Sequence, residues 1–281
     1  MKVCSTVKSL RKSLEPLRGK FSIGFVPTMG ALHAGHISLI EQAKSATDIT
    51  VASIFVNPTQ FNNREDLALY PRTLEADLRK LEEAGCDYVF TPSTDEMYPQ
   101  SSEVTLKLGS IANELEGKFR PGHFDGVGLV VSKLFNIVQP QKAFFGQKDL
   151  QQYFVIQKLI SEFNFPVHLF MVPTKREPGG LAMSSRNERL ASSDRQEACL
   201  LYQALQKAQQ LLLQEHSIEQ AKKEVKELIA SSGRLQLEYF EVVSTADFKP
   251  LKKVENKQST ALCIAAEIGG VRLIDNLLLI S

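Results

Sequence analysis

No apolar run in this 281-residue chain approaches the ~20 residues that a membrane-spanning helix needs, so no transmembrane segment is expected. Net charge is nearly absent as well: 33 Lys and Arg stand against 32 Asp and Glu. That balance gives no strong field for nucleic acid or an anionic lipid surface. The four cysteines, Cys4, Cys86, Cys199 and Cys263, are scattered without metal-site spacing, which suits reduced thiols in a cytoplasmic protein. Histidines number only five, and no internal repeat or low-complexity segment occurs. What is present is 43% apolar residues, enough for an ordinary core in one large or two medium domains. The N-terminus is basic, with Lys2, Lys8, Arg11, Lys12, Arg18 and Lys20 against Glu15. A basic presequence is one reading. Val7, Leu10, Leu14 and Leu17 recur at helical spacing and lead into the first strand, which favours an amphipathic helix belonging to the fold.

From residue 21 to about 173, apolar strands alternate with helical patterns. Strands are expected at Ile23–Val26, Ile49–Val56, Tyr88–Phe90, Lys142–Phe145 and Val167–Val172, with helices at Leu74–Ala84, Phe124–Val138 and Asp149–Phe163. The uninterrupted run at 49–56 is the pattern of a strand covered on both faces. This alternation predicts an α/β, Rossmann-like, doubly wound parallel sheet over residues 1–174. Pro173 to Arg186, with Pro178, Gly179 and Gly180, breaks the pattern as a loop. Helices at 193–215 and 217–231 and strands at Leu235–Val243, Ser259–Glu267 and Val271–Ile280 then predict a smaller α+β domain over 175–281. Gly269-Gly270 marks a hairpin between the last two strands.

In such sheets ligands bind beyond the carboxyl ends of strands. The first strand runs into Met29-Gly30-Ala31-Leu32-His33-Ala34-Gly35-His36 and then a helix. Two histidines three apart at a helix start share one face, beside N–H groups that favour an anion. Three readings stand: a capped helix with incidental histidines, a zinc pair, and a nucleotide-phosphate site in which imidazoles stabilise charge on a phosphoryl group. No cysteine lies near and no third metal ligand is evident. The strand–H-x-G-H–helix arrangement resembles the nucleotidylyltransferase superfamily.

Other strand ends carry polar residues. Asn57-Pro58-Thr59-Gln60 contains turn formers that account for Asn57 but not Gln60, whose amide can both donate to and accept from a small polar substrate. In Glu116-Gly117-Lys118-Phe119-Arg120-Pro121-Gly122-His123, Arg120 is either a solvated charge or a phosphate partner. Gly146-Gln147-Lys148-Asp149 opens a helix that Asp149 would cap, where the dipole disfavours Lys148 unless a phosphate is bound. Of Gln151 and Gln152, at most one faces a site. Met183-Ser184-Ser185-Arg186 resembles the K-M-S-K-S loop that closes over ATP phosphates in H-x-G-H enzymes.

Together, F-V-P-T-M-G-A-L-H-A-G-H, F-V-N-P-T-Q-F, R-P-G-H-F-D-G-V, F-F-G-Q-K-D-L-Q-Q and P-T-K-R-E-P-G-G-L-A-M-S-S-R-N resemble, in order and spacing, the pantoate–β-alanine ligase (pantothenate synthetase) family. The resemblance implies a cytoplasmic homodimer with small-molecule substrates: pantoate, β-alanine and ATP with Mg²⁺. Pantoate would be adenylated by ATP, and β-alanine would then displace AMP. It places ATP at Met29 to His36, at Gly146, Gln147, Lys148 and Asp149, at Lys175, and at Met183, Ser184, Ser185 and Arg186. His33, His36 and Lys148 would be catalytic, with His36 in the proton-donor position. Gln60 and Gln152 would hold pantoate, with Gln60 also near β-alanine, and Arg120 would meet pyrophosphate. Asp77, for the metal, and Glu116 are weaker assignments. The chain departs from the family at Gly179, where Asp is frequent, and at Gln147, where Glu is frequent. One rival is a nucleotidylyltransferase that stops at a nucleotide-linked product. Another is a nucleotide-sensing domain without catalysis.

Overall fold

The computed structural model describes residues 1–100 and 103–279. The chain divides into two compact units, Met1–Gly146 with Gln152–Val172, and Gln147–Gln151 with Pro173–Ser281. The first is a six-stranded parallel sheet built from β1 (Lys2–Cys4), β2 (Ile23–Thr28), β3 (Ile49–Ile54), β4 (Tyr88–Phe90), β5 (Lys142–Gly146) and β6 (His168–Val172), in the order β1-β4-β3-β2-β5-β6. The expected α/β, Rossmann-like sheet is therefore observed, and the strand order reverses direction between β2 and β5. The carboxyl ends of those neighbours are where a doubly wound sheet offers a binding crevice.

Both faces of the sheet are covered, which is why its strands read as solid apolar runs. On one face, Val26, Ala52, Val89 and Phe144 pack with Ile40 and Ala43 of the helix Ala34–Ala46 and with Leu81 of the helix Leu74–Glu83. On the other, Phe25 meets Phe135 of the helix His123–Val138 edge-on, with ring centroids 6.5 Å apart. The helix 74–83 stops where Gly85 takes φ 75°, a conformation open to glycine at little steric cost. The N-terminal amphipathic pattern forms a helix at Val7–Leu14. Strand β1 was not expected. Three residues are too few for a period to show, and the partner β4 supplies what local pattern does not.

The second unit is α+β, as expected. Its antiparallel sheet contains β7 (Gln236–Ser244), β8 (Thr260–Ile268) and β9 (Val271–Leu278). The last expected strand residue, Ile280, lies outside the described residues. Gly269 (φ 57°) and Gly270 (φ 71°) both take left-handed backbone, the requirement of a tight two-residue hairpin. Helices Leu200–Leu213 and Ile218–Ala230 pack Leu201, Leu205, Val225 and Ile229 onto Val242, Leu262 and Ile264 of the sheet. The helix expected at 193–215 is broken, with Ser192–Glu197 separate from 200–213. No described helix is long and apolar enough to cross a membrane.

Burial separates the four thiols. Cys4, Cys86 and Cys263 are buried and Cys199 is partly exposed. Burial pushes the Cys86 thiol up to about 12, so little thiolate is available there for attack. In native protein at pH 8, a disulfide reagent with a coloured leaving group should release one fast equivalent, mapping to Cys199, and the rest only in denaturant. Fast labelling of Cys86 without unfolding would contradict this packing.

Candidate active site

The turn after β2 is held from behind. Gly30 (φ 83°) and Ala31 (φ 50°) both take left-handed backbone, which costs a non-glycine residue roughly 1–2 kcal/mol. Asp77, fully buried on the helix 74–83, offsets that cost. Its Oδ2 accepts from the Ala31 N–H at 2.9 Å and its Oδ1 from the Leu32 N–H at 2.7 Å. The Thr73 hydroxyl donates to Oδ2 at 3.2 Å, and Lys80 Nζ donates to the Leu32 carbonyl at 2.5 Å. Thr28 Oγ1 accepts from the Gly30 N–H and donates to the Ser53 carbonyl, tying the turn to β3.

The helix Ala34–Ala46 then begins with an unusual cap. His33 is the N-cap, and its Nδ1 accepts from the Gly35 N–H at 3.1 Å. His36 Nδ1 accepts from the His33 N–H at 3.2 Å. Two imidazoles thus fill the reciprocal roles that Ser/Thr and Glu/Gln take in a capping box. The chemical consequence is a fixed tautomer. With both Nδ1 atoms accepting, the proton of each neutral ring sits on Nε2. The rings, 4.1 Å apart between centroids, carry two Nε2–H donors at a helix N-terminus, an arrangement suited to an anion.

A second wall adjoins the turn. Met29 Sδ accepts from Gln60 Nε2 at 3.0 Å, so the H-x-G-H segment and the Gln60 turn touch. The buried Gln60 also accepts at Oε1 from Asn57 Nδ2, 3.1 Å away. Asn57 is fully engaged: Nδ2 also donates to the Gly126 carbonyl, and Oδ1 accepts from the Tyr98 hydroxyl at 2.9 Å and from Thr59. Burial pushes the Tyr98 hydroxyl up, against a smaller opposing effect from Thr59, which keeps it a donor. His123 Nδ1 donates to the Gln60 carbonyl at 2.8 Å, and Arg120 Nη1 lies 3.4 Å from its Nε2. The helix 123–138 approaches so closely that a Cβ at Gly126 would collide with the Thr59 carbonyl.

The remaining expected residues belong to the second unit or flank it. Gly146 ends β5, and Gln147–Asp149 form a 3₁₀ turn before the helix Leu150–Phe163. Lys148 Nζ lies 3.8 Å from Asp149 Oδ1. Gln151 is buried and Gln152 half-buried. The Lys175 carbonyl accepts from the Met183 N–H at 3.0 Å. Ser184 caps the 3₁₀ turn Ser185–Arg189 through Arg186 N–H. Asn187, passed over in the sequence, is buried and donates to Glu177 Oε1 and the Ala182 carbonyl, and Arg195 clamps Glu177. Among the described residues no group of three or more His, Cys, Asp or Glu side chains could hold a metal ion.

A family model described as pantoate-beta-alanine ligase matches residues 2–278. The chain belongs to the pantoate–β-alanine ligase family. It is accordingly an enzyme, a ligase of pantothenate biosynthesis. It is 46% identical to a pantothenate synthetase of Cytophaga hutchinsonii, over 98% of each chain, and 46% identical to one of Thermosipho africanus, over 99% of this chain and all of the other. The crystal structure of pantothenate synthetase from Thermus thermophilus superposes with a TM-score of 0.94 at 40% identity, covering both chains fully. A pantoate–β-alanine ligase from Francisella tularensis, complexed with "Beta-gamma ATP" and β-alanine, gives 0.83 at 38% identity over 99% of this chain and 98% of that one.

Both departures from the ligase family's pattern have local partners. A Cβ at Gly179 would meet Cys199 Sγ at 2.5 Å, so an aspartate there requires Cys199 to move. Gln147 Nε2 donates to Asn276 Oδ1 at 3.4 Å, a contact a glutamate cannot make. Asp77 clamps main chain, accepting from the Ala31 and Leu32 N–H groups. Asp77→Asn sets an amide N–H against backbone N–H groups and should lower stability by about 1–3 kcal/mol, read from urea unfolding. Wild-type stability in this variant would remove the clamp from the account.

Proposed function

We propose that this chain activates (R)-pantoate on the turn bearing His33 and His36. The overall reaction is that of its family: ATP-dependent condensation of pantoate with β-alanine to pantothenate through a pantoyl adenylate, releasing AMP and pyrophosphate. The observation that carries the residue-level reading is the paired cap, which presents two Nε2–H donors and ties them through Met29 to the Gln60 amide. A pantoate carboxylate oxygen attacks the α-phosphorus, the bond to the bridging oxygen breaks, and pyrophosphate leaves. Charge grows on phosphoryl oxygens, where fixed donors lower the barrier most. His33 and His36 supply such donors, with Lys148 and the Met183–Arg186 segment on the phosphates and Arg120 on departing pyrophosphate. The amine of β-alanine then attacks the adenylate carbonyl and AMP leaves. Gln60 and Gln152 orient pantoate, and Gly30, Gly35, Asp149 and main-chain groups near Lys175 take the nucleoside.

Mg²⁺ belongs to this reading as the ion that accompanies ATP, where it would offset the charge of the phosphates. Asp77 does not fit as its ligand, being fully buried with both oxygens accepting from the turn. Asp77→Asn should therefore leave the Mg²⁺ dependence of activity in place. The reading includes a homodimer in the cytoplasm, in keeping with the family expectation.

Exchange of labelled pyrophosphate into ATP should require pantoate, and AMP should appear only when β-alanine is added. Exchange without pantoate would favour a plain nucleotidylyltransferase, and ATP binding without any exchange a sensing domain. His36→Ala should lower adenylate formation by roughly 10²–10³, the scale for losing one transition-state donor. Near-normal single-turnover formation of the adenylate by a folded variant would reject that role. Gln60→Ala should raise KM for pantoate well beyond that for ATP, and an equal rise in both would argue against direct contact with the acid.

A further inference from the structure

Strand β9 carries two adjacent buried polar residues that the chemistry above leaves unused, Asp275 and Asn276. Asparagine is a poor strand former, and a buried amide is costly unless its groups are paired. Here they are. Asn276 Nδ2 donates to the Gln147 carbonyl at 2.9 Å and to the Lys148 carbonyl at 2.8 Å, and Oδ1 accepts from Gln147 Nε2. The two carbonyls belong to the peptide planes on either side of the Lys148 Cα. Fixing both planes fixes the backbone dihedrals of Lys148, and with them the direction in which its side chain leaves the chain. For a long lysine stem with high rotamer entropy, that root direction decides where the ammonium can reach.

The neighbouring Asp275 does the equivalent for another segment. It accepts the Asn276 N–H at 2.8 Å and grips Arg176 in a fork of 2.6 and 3.0 Å. Arg176 in turn lies over the Tyr202 ring and donates to the Gly180 carbonyl, in the turn that leads to Met183. Two consecutive residues of one strand therefore hold the Lys148 main chain and the approach to Met183–Arg186.

We propose that Asn276 is a positioning residue for Lys148, aiming the ammonium that meets the ATP phosphates, with Asp275 setting the adjoining Arg176–Gly180 turn. This rests on the phosphate role given to Lys148. Gln147 is part of the device, since a glutamate there would oppose its carboxylate to Asn276 Oδ1.

The test compares Asn276→Ala, Asn276→Ser, Lys148→Ala and the Asn276→Ala/Lys148→Ala double variant in pantoate-dependent exchange. A parallel assay follows β-alanine acting on preformed pantoyl adenylate. Asn276→Ala should slow exchange roughly 10- to 100-fold, the scale for a misplaced catalytic group, with the second step little changed. Asn276→Ser, which keeps one donor, should fall between, and it carries the comparison if the alanine variant does not fold. The double variant should be no slower than Lys148→Ala, because both act through one group. Multiplying effects, wild-type exchange in Asn276→Ala, or failure of both Asn276 variants to fold would overturn the proposal. Lys148→Ala at wild-type speed overturns it at its premise instead. Hydrogen–deuterium exchange at amides 147–151 distinguishes that failure, because accelerated exchange in Asn276→Ala would show that Asn276 does anchor this main chain, only without a catalytic lysine to aim.

Discussion

The N-terminal unit depends on a carboxylate that never meets solvent. Asp77 accepts two main-chain N–H groups of the turn after β2 and a hydroxyl from Thr73. Hydrogen bonds to a charged acceptor contribute about 1.5–3 kcal/mol each, more than the roughly 1–2 kcal/mol that left-handed backbone costs Ala31. The strained turn is thus the lower-energy arrangement once Asp77 is in place. Everything downstream follows from it: the point at which the helix 34–46 starts, the cap made by His33 and His36, and the contact of Met29 with Gln60. Burial of Asp77 also matters for its chemistry, because both of its oxygens are already engaged by main-chain N–H groups of the turn.

The imidazole cap allows one side chain to serve the fold and the proposed chemistry through different ring nitrogens. A serine and a glutamate at 33 and 36 would start the helix as well, but would leave no second face to the cap. Imidazoles use Nδ1 for the main chain and carry a second ring nitrogen besides. The three-residue spacing visible in the sequence is therefore set by capping geometry before any ligand is considered. A division between the two ring nitrogens recurs at His123: Nδ1 serves the Gln60 carbonyl and Nε2 faces Arg120.

Much of this was legible in the sequence where the signal was periodic or carried by a long motif. Strands β2, β3 and β5, the helix 123–138 and the Gly269-Gly270 hairpin are announced by local pattern. His33, His36, Gln60 and Lys148 stand out at the strand ends as well, although the fold gives the two histidines a capping role that the sequence leaves open. Asp77 shows the limit: a buried acid on an otherwise ordinary helix looks the same whether it faces a metal or a peptide N–H. Asn57 reads as turn chemistry, and only the fold reveals that it joins Tyr98, Gly126 and Gln60. Asn276 gives no local signal, because its partners lie far away in sequence. The assignment of Gln147–Gln151 to the C-terminal unit is equally silent, since nothing in those five residues says which core they follow.

The bare backbone of Gly126 has a consequence for selectivity. With no Cβ, the helix 123–138 rests directly on the Thr59–Gln60 peptide, and Asn57 bridges the two. The amide proposed to grasp the acid is therefore mounted on the long helix itself. An engineer wanting a bulkier acid accepted would gain little from trimming neighbouring side chains, because the boundary on that side is main chain against main chain. Widening it means relocating a four-turn helix together with its core contacts, which is a change of architecture and not of decoration.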